Sequence, residues 1–268
     1  MNKPQGSIAM SQATLLREDQ EGVCILTLNR PDAYNALSIE FMESLSEMLD
    51  QIATDESVRV VMIRGQGRGF CAGHDLKQIM ASPEEEFHSL TFQRCSRLMQ
   101  QITNLPIPVI AHVTGIATAA GCQLVASCDL AVAADNSRFA TPGVNIGLFC
   151  STPMVALTRA VQPKHALEML YLGEAMDAHR AAEIGLVNWV VPREAISDFA
   201  MQKARLVASK SRATLVLGKR AYHVQKDLPL AEAYAHCSNV MVENLQLDDA
   251  KEGIEAFVEK RKPNWQHR

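Results

Sequence analysis

The apolar positions change period several times along the chain, and each change marks an element. Val23 to Leu28 is a short apolar run that reads as a strand, preceded by a loose polar start and followed by a turn at Arg30-Pro31-Asp32. Met42, Leu45, Leu49 and Ile52 then recur at helical spacing behind Ser38, which can cap a helix, and Glu40, which suits its positive end. Val58 to Ile63 is a β-branched strand, with a glycine loop after it at Gly65 to Gly69. Ser82-Pro-Glu-Glu85 has capping-box spacing with proline at the first helical position, predicting a helix that runs to Asn104 and stops at Pro106 and Pro108. Pro108 to Val113 is a buried strand. The small-residue segment Gly115 to Gly121 follows, then an apolar helix towards Ser127 and a strand over Asp129 to Ala134. From Thr152 the pattern is mainly helical, broken at Pro163, Gly185 and Pro192, with a late strand over Val187 to Val191.

The first two-thirds therefore alternate strand and helix, which predicts an α/β core. The last third is a helical region that cannot bury its apolar faces alone. Leu157, Leu167, Leu170, Val216 and Leu217 on these helices are expected to need cover from another copy of the chain.

Composition removes several classes of function. The 268 residues carry a formal net charge of −4, which gives no basic footprint for nucleic acid. No apolar run approaches the ~20 residues of a membrane-spanning helix, and Met1 to Gln20 lacks a signal-like apolar stretch. The cysteines, at 24, 71, 95, 122, 128, 150 and 237, are odd in number and never spaced as CxxC. These features predict a soluble, untargeted protein of the reducing cytoplasm. There is no HExxH pair, and Cys71 with His74 supplies only two ligands, so no metal is expected.

Gly65, Gly67 and Gly69 form GxGxG, with Phe70 where the third glycine of a dinucleotide fingerprint belongs, and no GxSxG nucleophile elbow occurs. The stronger signals are Phe70-Cys-Ala-Gly-His-Asp-Leu-Lys77 and Gly115-Ile-Ala-Thr-Ala-Ala-Gly-Cys-Gln-Leu124. Both leave a buried strand and enter a helix, where the first N–H groups have no internal partner. Small residues there either allow close packing or bring two such N–H groups to one point, forming an oxyanion hole.

The first segment resembles the F-x-A-G-x-D-[LI]-K pattern of the crotonase (enoyl-CoA hydratase/isomerase) superfamily. Ala119 to Leu124 with Cys128-Asp129 resembles its G-G-G-x-E-L…C-D. Arg30-Pro31 with Asn35-Ala36-Leu37, Phe139 to Pro142 with Gly147, Gly173 with Ala181 to Val187, and Glu252-Gly253…Phe257…Lys260-Arg261-Lys262-Pro263 resemble further family segments in order. The resemblance implies a ββα spiral over residues 13–200 that binds an acyl-CoA thioester, and a helical region over 201–268 that assembles trimers or dimers of trimers. Residues 1–12 are expected to be disordered. It places coenzyme A between Asn35, Ala36 and Leu37 and the loop Ala72, Gly73, His74, Asp75, Leu76 and Lys77, with Lys260 as a further contact. Coenzyme A belongs to the substrate, and no separate cofactor is implied.

By the same resemblance the oxyanion donors are the backbone N–H groups of His74 and Ala120. The two catalytic glutamates of the family fall at Gln123 and Gly143. A carboxamide cannot accept a proton from water at accessible pH, and glycine offers no side chain. The His74 imidazole, with an ordinary pKa near ~6.5, and the Cys150 thiol are the groups close by in sequence that could carry acid/base or nucleophilic chemistry. Asp75, Asp129 and Asp135 are also nearby in sequence, and the first two read as structural. The expectation is acyl-CoA binding with weak hydration, or binding alone, and restoring Glu at both 123 and 143 is expected to raise the hydration rate.

Overall fold

The computed structural model describes residues 13–268. The expected disorder of residues 1–12 lies outside them. In chain order the elements are β1 (Leu15–Gln20), β2 (Val23–Leu28), a 3-10 turn (Pro31–Ala33), α1 (Ile39–Ala53), β3 (Val60–Gly65), β4 (Gly69–Cys71), α2 (Leu76–Ala81), α3 (Glu85–Asn104), β5 (Val109–Val113), β6 (Ile116–Thr118), α4 (Ala120–Ser127), β7 (Leu130–Ala134) and β8 (Arg138–Ala140). A second 3-10 turn (Pro142–Ile146) leads into α5 (Ser151–Ala160), α6 (Pro163–Leu172), β9 (Met176–Asp177), α7 (Ala178–Glu183), β10 (Trp189–Val191), α8 (Ile196–Ala208), α9 (Arg212–Gln225), α10 (Leu230–Gln246) and α11 (Asp248–Val258).

The strands form two sheets. One has the order β1-β2-β3-β5-β7-β10, parallel except for β1, and the other the order β4-β6-β8-β9, parallel except for β9. Each turn of the chain lays one strand in the first sheet, one in the second, and then a helix: β3-β4-α2, then β5-β6-α4. This is the ββα spiral. Val61 and Ile63 of β3 face a core shared with α1, α3 and α4, while Val60 and Met62 face α8, so the strand is apolar on both sides. α8 fits that second face because Ala200, Ala204 and Ala208 keep its i, i+4 ridge low.

Several sequence expectations change. β1 was hidden in the polar start because it is an edge strand, held by backbone pairing from Leu15↔Leu28 to Gln20↔Val23 with mostly exposed side chains. Ser82 does not cap α3: it ends α2, giving its N–H to the Ile79 carbonyl, and Glu84 precedes α3 without a side-chain cap. The helical run does break at Pro163, between the end of α5 and the start of α6, where proline needs no N–H partner in the first turn. The 200/201 division falls inside α8, which packs on the sheet along its length. Of the residues expected to need cover, Leu167 is exposed as expected, whereas Leu157, Leu170 and Leu217 are buried within the chain and Val216 is partly covered. Further exposed apolar surface lies on α10 and α11, at Leu230, Tyr234, Met241, Val242 and Phe257. No described helix is long and apolar enough to cross a membrane.

α4 sits directly on the exit of β4. A Cβ on Gly121 would overlap the Cys71 carbonyl oxygen, so the two backbones touch with no side chain between them. Gly121→Ala is expected to lower unfolding free energy by about 3 kcal/mol or more, the upper range of overpacking, in urea denaturation. An unchanged midpoint would mean that the helix is free to slide.

Candidate active site

The parallel strands β4, β6 and β8 end at the same edge of the smaller sheet, and their exits carry His74, Ala120 and Gly143. The β4 exit is held by a second stretch of backbone. Ala72 N–H donates to the Tyr34 carbonyl (2.9 Å), Leu37 N–H to the Gly73 carbonyl (2.7 Å), and Asp75 N–H to the Leu37 carbonyl (3.0 Å). The expected proximity of residues 35–37 to residues 72–77 is therefore a short parallel bridge between Leu37 and His74.

The side chains at this junction serve the backbone. Asn35, fully buried, donates from Nδ2 to the carbonyls of Gln66 (3.0 Å), Gly69 (2.9 Å) and Phe70 (3.1 Å), and its Oδ1 accepts the Arg30 N–H (2.8 Å). Ala36 offers its carbonyl to Arg30. Asp75 caps α2 and pairs with Arg30 at 2.9 Å, and the side-chain bond from Arg30 draws its carboxyl below the usual range against the opposing effect of burial. Leu76 and Lys77 are exposed on the first turn of α2. Lys260 lies far along the chain, just beyond α11, in a left-handed conformation (φ 58°). Its neighbour Arg261 is taken up by Glu252, Glu255 and Glu259.

Gly73 is the centre of the arrangement. Its φ of +94° suits glycine, and a Cβ there would lie 2.9 Å from the Ala119 Cβ, 3.0 Å from the Thr118 carbonyl oxygen and 3.1 Å from the Ala120 nitrogen. The peptide leading to His74 thus abuts the peptide leading to Ala120. Neither the His74 N–H nor the Ala120 N–H has a backbone acceptor among the described residues. Ala120 is the first residue of α4, so its donor also stands at the positive end of a helix dipole. Ala119, where the family pattern has glycine, takes φ 51° and ψ −118°, a conformation costing about 1–3 kcal/mol for a residue with a Cβ. Its N–H bond to the Ala140 carbonyl (2.9 Å) holds it there. Two N–H groups left without a backbone acceptor at one junction can stabilise a developing oxyanion.

The acid/base positions differ from expectation in an instructive way. Gln123 lies one turn into α4, buried, with the Cys95 thiol 3.8 Å from its Oε1. Gly143 is not an empty slot. A Cβ there would meet the Leu148 carbonyl oxygen at 2.6 Å and the Cys150 Sγ at 2.9 Å, because the chain after the 3-10 turn folds back over it and Leu148 N–H bonds to the Gly143 carbonyl (2.9 Å). A glutamate at 143 therefore cannot simply be restored. Burial pushes the Cys150 thiol up in pKa, opposed by a bond from the Gly143 N–H. Burial likewise pushes the His74 imidazole down to about 4, and its ring packs edge-on against Phe92 at 5.1 Å. His74 is thus neutral throughout the neutral range, and is not the base poised near pH 6.5 that its ordinary pKa suggested. Sequence reasoning also missed Gly73 as the residue that sets the cleft; its left-handed backbone shows only in three dimensions.

A spiral of ββα turns with paired backbone donors at its strand exits is the crotonase arrangement. The enoyl-CoA hydratase/isomerase family profile matches residues 18–268, and the chain belongs to that family, which acts on acyl-CoA thioesters. It is 46% identical over 265 residues to enoyl-CoA hydratase domain-containing protein 3, mitochondrial, of Rattus norvegicus, covering 99% of this chain and 88% of that one. A solved enoyl-CoA hydratase from Mycobacterium smegmatis superposes with a TM-score of 0.93 at 48% identity, over 95% of this chain and 99% of that one. Human enoyl-CoA hydratase domain-containing protein 3 superposes at 0.92 with 46% identity, over 94% and 100%. The cytoplasmic placement read from the cysteines is corrected by the mitochondrial designation of the rat relative. Free thiols mark a reducing environment without saying which compartment supplies it.

Gly143→Glu is expected to destabilise the protein by about 2 kcal/mol or more, within the overpacking range, and the double variant with Gln123→Glu to gain no hydration. Urea denaturation beside a hydration assay measures both. A stable double variant with a raised rate would show that the Leu148 segment yields easily.

Proposed function

We propose that this protein binds an acyl-CoA thioester with its carbonyl oxygen between the N–H groups of His74 and Ala120, and hydrates enoyl thioesters poorly. The observation that carries this reading is the pair of unpartnered donors flanking Gly73. Hydration needs one group to activate water and another to handle the α-carbon proton. Gln123 is a poor base, Gly143 is closed over, and His74 holds its proton only below about pH 4. Polarisation of the thioester remains, and it serves any reaction that passes through a thioester enolate. The runner-up is a binding or assembly protein without turnover, favoured by the closure of Gly143. In either case residues 35–37 and 72–77 form the coenzyme A side of the cleft, and Lys77 with Lys260 supplies cations for its phosphates. The exposed apolar faces of α10 and α11 support assembly into a trimer or a dimer of trimers.

Crotonyl-CoA hydration is expected to fall ~100- to 10,000-fold below that of a hydratase with both glutamates, while binding survives and Lys77→Ala weakens it. Steady-state hydration and a binding titration on the same sample decide the matter. A rate equal to that of a two-glutamate hydratase would overturn the reading, and no binding of crotonyl-CoA or coenzyme A would overturn both readings. Light scattering is expected to give a multiple of three chains, and a monomer at micromolar concentration would remove the assembly.

A further inference from the structure

Residues 264–268 fold back along α11. Asp249, 1% exposed, accepts the N–H groups of Gln266 (2.6 Å) and His267 (2.9 Å), while its own N–H donates to the Arg268 carbonyl (3.2 Å). Glu252 accepts the Asn264 N–H at 2.7 Å. The Trp265 indole N–H reaches the Ser209 carbonyl at the end of α8 (2.9 Å), and its ring lies 3.1 Å from where a Cβ on Gly253 would sit. His267 Nδ1 accepts the Arg212 N–H at the start of α9 (3.2 Å). The segment therefore ties the α8–α9 corner to α11. Trp265 lines an open apolar groove together with Leu245, Ala250, Ile254 and Phe257.

We propose that residues 264–268 are a strap that opens on acidification, freeing Trp265 from the α8–α9 corner. Nδ1 accepts the Arg212 N–H only while the ring is neutral. A proton there removes the acceptor and turns a donor against a donor. The groups facing the ring are Arg212 from α9, Arg59 from the stretch before β3 and Asp249 from α11, with Arg268 of the strap and its partner Asp248 close by (3.2 Å). Two guanidinium groups oppose the new charge and one buried carboxylate favours it. Burial first, and then Arg59 and Arg212, hold the His267 pKa below the ordinary range. A depressed folded pKa means the contact is whole above ~6.5 and is lost as pH falls through the folded value. Glu252, held down to about 2 chiefly by Arg261, stays ionised, so the strap opens from its 265–268 end while Asn264 remains attached.

Trp265 shares the chain with one other tryptophan, Trp189, so Trp189→Phe in the full chain makes it the sole reporter. Between pH 8 and 5 its emission should shift to the red and its access to acrylamide rise, with a midpoint below ~6.5 and an unchanged far-UV spectrum. Adding His267→Gln, which keeps a neutral amide, should abolish the transition. Adding Asp249→Asn should leave Trp265 accessible already at pH 8. A reporter indifferent to pH, a transition that persists with Gln at 267, or one that coincides with loss of helix would each overturn the strap.

Discussion

The direct seating of α4 on the exit of β4, backbone against backbone, is the contact on which the cleft depends. It requires that no side chain intervene at Gly73 or Gly121. Once the two segments are that close, the peptides before His74 and Ala120 stand side by side and their N–H groups have nowhere to bond within the chain. Such groups are expensive to leave unpaired, by about 1–3 kcal/mol each when buried, and the strained Ala119 adds to the local cost. The surrounding structure over-determines the arrangement. Asn35 gathers three carbonyls, Leu37 pins Gly73 and Asp75, and Ala140 holds Ala119. These bonds fix the positions of both N–H groups within the chain itself, which is the condition for backbone donors to favour a developing charge.

The same backbone cleft limits the chemistry. Two donors polarise a carbonyl but move no proton, and the side chains around them are poor proton carriers. His74 is neutral because burial disfavours its cation, and Cys150 is disfavoured as a thiolate for the same reason. Both groups looked chemically available from their ordinary pKa values. The fold-back of the Leu148 segment over Gly143 leaves no room there for a side chain of any kind.

Much of the fold was legible in the chain. Strands with both faces buried, such as Val60 to Ile63, announce themselves as apolar runs, and Ser38 marked the start of α1. β1 was not legible, because an edge strand is held by backbone bonds that leave no hydrophobic pattern. Ser82 had the right spacing for a cap, yet Pro83 and the end of α2 took it into a turn. At the site, the small-residue segments pointed to the two donors, whereas the left-handed Gly73, the clamp made by Asn35 and the closure over Gly143 are properties of segments brought together from distant positions. Sequence spacing carries no record of them.

The central claim is that the His74 and Ala120 N–H groups polarise a bound thioester carbonyl. The most direct measurement is the carbonyl stretch of crotonyl-CoA labelled with carbon-13 at the thioester carbon, read by difference infrared spectroscopy on the complex. Two aligned donors in a site shielded from water predict a stretch at lower frequency than for the same ligand free in water, and the loss of that shift when Gly73→Ala forces the two peptides apart. A ligand shown to be bound, with its carbonyl stretch at the aqueous frequency, would contradict the account.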